Sequence, residues 1–251
     1  MNKITIKTEE EMEIMAEGGA KLARVKKALG AAVKPGVSAW DIEELASRLI
    51  EEEGAYPSFK KVPNYKWATC INVNDGVVHG IPRKTVIFKE EDIVSVDVGI
   101  YYKGFHTDTA LSVYLGKDPI KKKFLEVGRQ SDLAGIKEVK KGKTIGDISR
   151  AIEKVLFANN VKPVWSLTGH GVGRQLHEMP YIPCYDAADK ASELVIGVGF
   201  VLAVEVMFTL GDGELKEDND GWTLRTKDGK IAGLWEETVA VTANGPIIIT
   251  N

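Results

Sequence analysis

The sequence predicts an α+β fold made of two duplicated halves, on three observations: a long β-hairpin, helical stretches before it, and a second run of the same signals later in the chain. The hairpin is Asp92 to Leu115, DIVSVDVGIYYKGFHTDTALSVYL, two strands joined at Tyr102-Lys103-Gly104. Val94, Val96, Val98 and Ile100 alternate with Ser95, Asp97 and Gly99, so the β-branched residues share one face and Asp97 lies on the other. A turn centred near Lys103 places Asp108 across from Asp97, with side chains roughly 5 Å apart. Facing carboxylates repel, so either one is protonated or a cation lies between them. Ser95 and Gly99 are small enough to leave room for an ion. Two solvated aspartates on an exposed hairpin would look the same from this stretch alone, so further ligands are needed.

Taken in order, Glu9 to Leu29 has a helical pattern, with Ile14, Met15, Gly18, Leu22, Val25 and Leu29 at mixed three and four spacing, ended by Lys34-Pro35-Gly36. Ser38 caps a second helix through Glu53, whose apolar face is Ile42, Leu45, Leu49 and Ile50. After the hairpin, Ile120 to Val139 is again helical in pattern. Then the first signals return: Gly36, Ser38, Asp41, Ile42 and Pro57 are answered at constant offset by Gly142, Thr144, Asp147, Ile148 and Pro163, the last pair closing each helical segment. Helix grammar repeats by chance, but a constant offset favours duplication. The halves then fall at about 1–118 and 119–251 of a single domain, 1–251.

Duplication requires matching strands. Ile93 to Ile100 (IVSVDVGI) is answered by Val201 to Phe208 (VLAVEVMF), which aligns Glu205 with Asp97. Glu205 shares its face with Ala203 and Met207. Asp108 is answered in Gly233 to Thr242, where two glutamates are adjacent and a strand can turn only one inward. Glu237 has the parity of Trp235, Val239 and Val241, whereas Glu236 lies with the small Thr238 and Ala240, so Glu236 is selected. The insertion Gly211 to Lys230 reads as a loop or long hairpin. Its Asp218-Asn-Asp-Gly221 run lacks the remaining spacing and terminal glutamate of a calcium loop and reads as a turn.

Composition narrows the function. With 251 residues, 44% hydrophobic and 27% charged, the chain can bury a substantial core. A formal net charge of -3 gives no general reason to expect nucleic acid or an anionic membrane as the main partner. Met1 to Thr8 has no apolar signal core, and no run approaches the roughly 18 apolar residues of a membrane span; a cytoplasmic location is expected. Cys70 and Cys184 are the only cysteines, so a metal would be held by histidine and carboxylates.

The histidines are His79, His106, His170 and His177. His79 lies in Asn72-Val-Asn-Asp-Gly-Val-Val-His-Gly-Ile-Pro82, and His170 and His177 lie in Thr168-Gly-His-Gly-Val-Gly-Arg-Gln-Leu-His-Glu-Met-Pro180. Gly169, Gly171 and Gly173 argue against a helix and let backbone approach a ligand. His106 shares Asp108's parity, so the pattern leaves it open. Four carboxylates and one imidazole suit two divalent first-row ions, which together lower the pKa of a bound water and polarise a carbonyl. The other histidines are then free for proton transfer and oxyanion stabilisation.

With these motifs in this order, NDGVVHGIP, VSVDVG, GFHTDTA, TGHGVGRQLHEMP and the Glu205 and Glu236 strands, the whole chain resembles the type I methionine aminopeptidases of the pita-bread metallopeptidases. The resemblance implies antiparallel sheets covered by helices around a pseudo-twofold axis. It further implies that Asp97, Asp108, His170, Glu205 and Glu236 hold two divalent ions (Co, Mn, Fe or Zn), with Asp108 and Glu236 bridging. Glu205 would shuttle the proton, His177 stabilise the tetrahedral oxyanion, and His79 hold or protonate the amine end. An apolar methionine pocket maps onto Tyr65, Cys70, Leu176 and Trp222; Phe59 and Val62 are better read as ordinary core. The implied substrates are N-termini of nascent polypeptides with a small second residue, met near the ribosome exit by a monomer.

The chain departs from the family in three places. Val206 stands where proline commonly follows the glutamate, Glu237 stands where histidine commonly follows the last ligand, and a Cys- and His-rich extension is lacking. Glutamate, an acidic residue and threonine also occur together in Xaa-Pro peptidases of the same fold. An Xaa-Pro aminopeptidase or prolidase is therefore the rival enzyme, and an inactive peptide-binding module the rival from another class. The five filled ligand positions argue against the second, and the length and the Trp222 loop against the first.

Overall fold

The computed structural model describes residues 4–251; the first three residues of the Met1–Thr8 stretch lie outside them. Thr8 accepts from the Glu11 amide while Glu11 accepts from the Thr8 amide, and this reciprocal cap starts α1 (Glu9–Ala32). Ser38 and Asp41 start α2 (Ala39–Glu52) in the same way. Short strands β1 (Tyr56–Pro57), β2 (Thr69–Val73) and β3 (Gly76–Val78) lead into the hairpin β4 (Ile93–Tyr102) and β5 (Phe105–Tyr114). The second half repeats the plan: α3 (Pro119–Glu138), then α4 (Ile145–Ala158), capped by Thr144 and Asp147. It continues with β6 (Lys162–Pro163), β7 (Thr168–Gly171), β8 (Glu178–Pro183), β9 (Val201–Thr209), β10 (Leu215–Glu217), β11 (Leu224–Thr226), β12 (Ala232–Thr242) and β13 (Gly245–Ile248).

Both halves build one sheet, ordered β1-β4-β5-β12-β9-β7-β8, with β2 on β4, β6 on β9 and β13 on β12. The seam between halves is β5 against β12. The duplication extends to details: Pro57 pairs with Ile100 as Pro163 pairs with Phe208, and Ser38 bridges Ile87 as Thr144 bridges Val195. Pro57 and Pro163 thus sit in short edge strands, where a missing N–H is harmless, rather than closing the helices.

The hairpin register differs from the expectation. Lys103 (φ 46°) and Gly104 (φ 96°) are both left-handed, as a two-residue type I′ loop requires, and Tyr102 pairs with Phe105. The turn is therefore centred after Lys103, and Asp97 pairs with Ala110 while Asp108 pairs with Gly99. The two aspartates share a face but are diagonal neighbours, not directly opposed.

The other face of the sheet is the core. Val94, Val96, Val98 and Ile100 pack beneath Leu22, Leu29, Ile42 and Ile50 of α1 and α2. Leu202, Val204, Val206 and Phe208 pack beneath Phe124, Ile148 and Ile152 of α3 and α4. Burial of these apolar faces leaves the Asp97 face uncovered by helix. Among the described residues no helix is long and apolar enough to cross a membrane.

Candidate active site

Two neighbouring rows cross the uncovered face of the sheet. In the first, Cys70 pairs with Asp97, Asp97 with Ala110, Ala110 with Glu236, and Glu236 with Glu205. In the second, Gly99 pairs with Asp108, whose backbone is bonded to the Thr238 hydroxyl; Thr238 pairs with Ala203, and Ala203 with His170. Paired residues point to one face, so five polar side chains converge while Ala110, Ala203 and Gly99 leave space between them. Gly99 is needed there: a Cβ would stand 3.0 Å from Asp108 Oδ1.

The electrostatics of this cluster are unresolved by the protein itself. Asp108, His170 and Glu236 offer ligand atoms that all lie within 4.8 Å of one another. Asp97 Oδ1 and Glu236 Oε1 are buried without a hydrogen-bond partner. Burial, then Asp108 and Glu205, hold the Asp97 carboxyl well above the usual range. Glu236 is raised by burial, then by Asp108, Glu205 and Asp97. Burial pushes Asp108 up to about 7, and burial with the Asp108 charge pushes Glu205 up to about 8. His170 goes the other way, to about 3, again chiefly through burial, and is neutral. Its Nδ1 lies 2.8 Å from the Gly171 carbonyl and donates to it, so Nε2 keeps its lone pair, 3.8 Å from Glu205 Oε1. Orphaned carboxylate oxygens, mutually raised acids and an imidazole in the ligating tautomer fit divalent cations.

This has a measurable consequence without metal. A carboxyl whose folded value exceeds its unfolded value, near 4, contributes stability that is fully present below the unfolded value and is lost progressively as pH rises to the folded value. Chelator-stripped protein is expected to melt roughly 5 °C or more lower at pH 8 than at pH 5, with the loss accumulating across that interval and levelling off where Asp108 (about 7) and Glu205 (about 8) ionise in the folded protein. Equal melting temperatures by scanning fluorimetry would contradict this; added Mn or Co should abolish the difference.

The rows open into a cavity of about 150 Å³. Tyr65, Cys70, Leu176 and Trp222 line it, as do His79 and His177. Phe59 and Val62, assigned to ordinary core from sequence, also line it, because the one-turn helix Phe59–Lys61 folds back toward β4. Val78 is a further wall residue that nothing in its short apolar run distinguished. Tyr65 is braced by its hydroxyl, which donates to the Thr69 carbonyl at 2.9 Å and meets Cys70 Sγ at 3.2 Å. The Trp222 ring packs edge-on to Tyr65 at 5.0 Å. Trp222 is placed by the Asp218–Gly221 turn, where Asp220 accepts from the amides of Trp222 and Thr223, and Asp218 takes Arg225. Those carboxylates are spent on protein donors, as a turn and not a calcium loop requires. His79 sits at φ 58°, in the left-handed region that few residues with a side chain adopt, histidine more often than most.

His106 is outside this cavity; its Nδ1 lies 2.8 Å from Ser58 Oγ, and its ring packs on Tyr101. Neither Val206 nor Glu237 disturbs the rows. Val206 continues β9 unbroken and points into the helix-side core. Glu237 points the same way, where Lys26 of α1 donates to both its oxygens at 2.7 and 2.8 Å, Thr250 Oγ1 donates at 2.7 Å and Arg129 of α3 lies at 3.3 Å. It ties the helices of the two halves to the seam strand. Cys184 Sγ donates to the Glu205 carbonyl at 3.2 Å.

Comparison with known proteins agrees with this geometry. A model of metallopeptidase family M24 matches residues 13–243. A methionine aminopeptidase of Aquifex aeolicus is 39% identical over 98% of this chain and 98% of its own. The crystal structure of methionine aminopeptidase from Thermotoga maritima is 38% identical and superposes with a TM-score of 0.95 over 99% of this chain and 100% of that one. A prolidase from Pyrococcus furiosus, 21% identical with a TM-score of 0.78, shares the fold; 98% of this chain covers 65% of that one. The fold is the pita-bread arrangement that the sequence resemblance implied. With the match running almost from end to end, the chain belongs to metallopeptidase family M24.

Proposed function

We propose that the protein removes the N-terminal methionine of nascent proteins and peptides by hydrolysing the first peptide bond, with a small residue preferred in second place. The observation that carries this reading is the contact between the two polar rows and a cavity whose aromatic end is apolar, with no charged group in it. Such a cavity suits an unbranched thioether side chain and leaves a basic or acidic one unpaired.

In this reading Asp97, Asp108, His170, Glu205 and Glu236 would hold two divalent ions; Co, Mn, Fe and Zn all suit the donors. When bound, they supply Lewis-acid polarisation of the carbonyl and a water acidic enough to ionise at neutral pH. The chain's own groups do the rest. Tyr65, Cys70, Leu176 and Trp222 hold the methionine side chain and exclude water. His79 holds the amine end. Glu205, whose side chain is 15% exposed at the cavity, takes a proton at its carboxylate and returns it to the leaving nitrogen. His177 donates to the oxyanion as it forms. Residues 1–251 act as one catalytic domain, with Asp97 and Asp108 from the first half and His170, Glu205 and Glu236 from the second. We place this activity in the cytoplasm, near the ribosome exit, in a monomer.

The test is mass spectrometry of a Met-Ala-Ser peptide and a Leu-Pro peptide with chelator-stripped protein, with and without added Mn or Co. Loss of methionine only with metal is expected, and the Leu-Pro peptide should stay intact. Cleavage before proline alone would move the protein to the Xaa-Pro peptidases, and no cleavage of either would favour a binding module.

A further inference from the structure

The bend at residues 173–177 joins β7 to β8 and forms the cavity wall that carries Leu176 and His177. A short bend that starts at glycine has little intrinsic reason to keep one shape. Here it is held from outside by the N-terminal segment. Lys7 Nζ lies 2.6 Å from Glu178 Oε2, with the two side chains only 2% and 6% exposed. The second oxygen of that carboxylate, Oε1, accepts from the Gln175 amide at 3.0 Å, so one glutamate both receives the lysine and closes the bend. Lys7 is itself fixed: its amide donates to the Gly199 carbonyl at 2.8 Å and its ammonium to the Thr5 carbonyl at 3.2 Å. Gly173 lies so close to the Lys7 side chain that a Cβ would overlap it, and its carbonyl accepts from the His106 amide at 2.7 Å. An ion pair between Arg174 and Glu11, in the first turn of α1, ties the bend to the same segment a second time.

Burying a lysine and a glutamate together costs several kcal/mol of desolvation per ion, and an apolar pair of similar volume is often as stable or more so. Stability alone is therefore a weak reason for this pair. Its location supplies a stronger one, since Glu178 follows His177 directly and its carboxylate anchors the residue before Leu176. We infer that the Lys7–Glu178 ion pair is a positioning device through which the N-terminal segment holds the 173–177 bend, and so His177 and Leu176, against the cavity. The consequence for catalysis rests on the role proposed above for His177; the consequence for the bend does not.

Lys7→Met alone strands a buried carboxylate and lowers stability whatever the pair does. The informative variant is Lys7→Met with Glu178→Met, which keeps the volume, removes both charges and takes away the acceptor of the Gln175 amide. Its melting temperature is expected to stay within a few degrees of the parent. Two readouts on the full-length, metal-loaded protein follow. Hydrogen exchange at residues 174–177 should accelerate about tenfold or more while β4 stays protected. On Met-Ala-Ser, kcat should fall about tenfold with little change in KM and the same bound metal, and Lys7→Arg should keep both properties near the parent. Unchanged exchange in the bend overturns the inference even if the parent releases no methionine. Accelerated exchange with unchanged kcat overturns its catalytic half.

Discussion

Glu236→Gln is expected to lower methionine release about 10³-fold or more while raising the melting temperature of the metal-free protein. Both effects come from its place in the first row, between Ala110 of β5 and Glu205 of β9, with an oxygen that finds no protein partner. In the proposed reading it would balance the charge of the bound ions, which an amide cannot. A Lewis acid contributes several kcal/mol of transition-state stabilisation, and each 1.36 kcal/mol is a factor of ten. Without metal the same carboxylate is a liability, held well above its ordinary pKa by burial and by Asp108, Glu205 and Asp97. Its removal at pH 8 should relieve about 1 kcal/mol or more, worth roughly 2–4 °C in a protein of this size. Activity against Met-Ala-Ser, bound metal by plasma mass spectrometry and melts in chelator make the three measurements. Full activity with two ions still bound would remove Glu236 from the ligand set. Asp97→Asn should behave alike, since Asp97 Oδ1 in the same row is also buried without a partner.

His177→Ala separates the metal from the transition state. The ring packs at 4.4 Å on the neutral His170 ring, yet it lies on the bend and not in either row. Its loss should leave both ions in place and lower kcat about 10²-fold, the usual effect of losing one oxyanion donor. KM for Met-Ala-Ser should move little, because the donor acts most strongly on charge that develops after binding. A variant that loses metal in parallel with activity would instead make His177 part of the metal site.

Most of the polar cluster was legible because strands and duplication are both periodic. Parity puts Asp97, Asp108, Glu205 and Glu236 on small-residue faces, and the constant offset of the helix signals pairs the halves. Parity also separated Glu236 from its neighbour. It could not say why a second glutamate stands there, since the answer, Lys26 and Arg129 arriving from two helices, depends on how those helices cross the seam. The hairpin register failed by a small shift for a local reason: whether Lys103 is the centre of a turn or the first residue of a two-residue loop depends on its backbone adopting φ 46°. Phe59 and Val62 were indistinguishable from core residues, because an apolar side chain carries the same signal whether it meets another side chain or a cavity. Lys7 carried no signal at all. By itself the sequence determined which residues share a face and which halves correspond, since those follow from the period of the backbone. Only the tertiary structure decided which faces meet, which carboxylates remain without partners and what holds the loop beside them, since those depend on contacts between residues far apart in the chain.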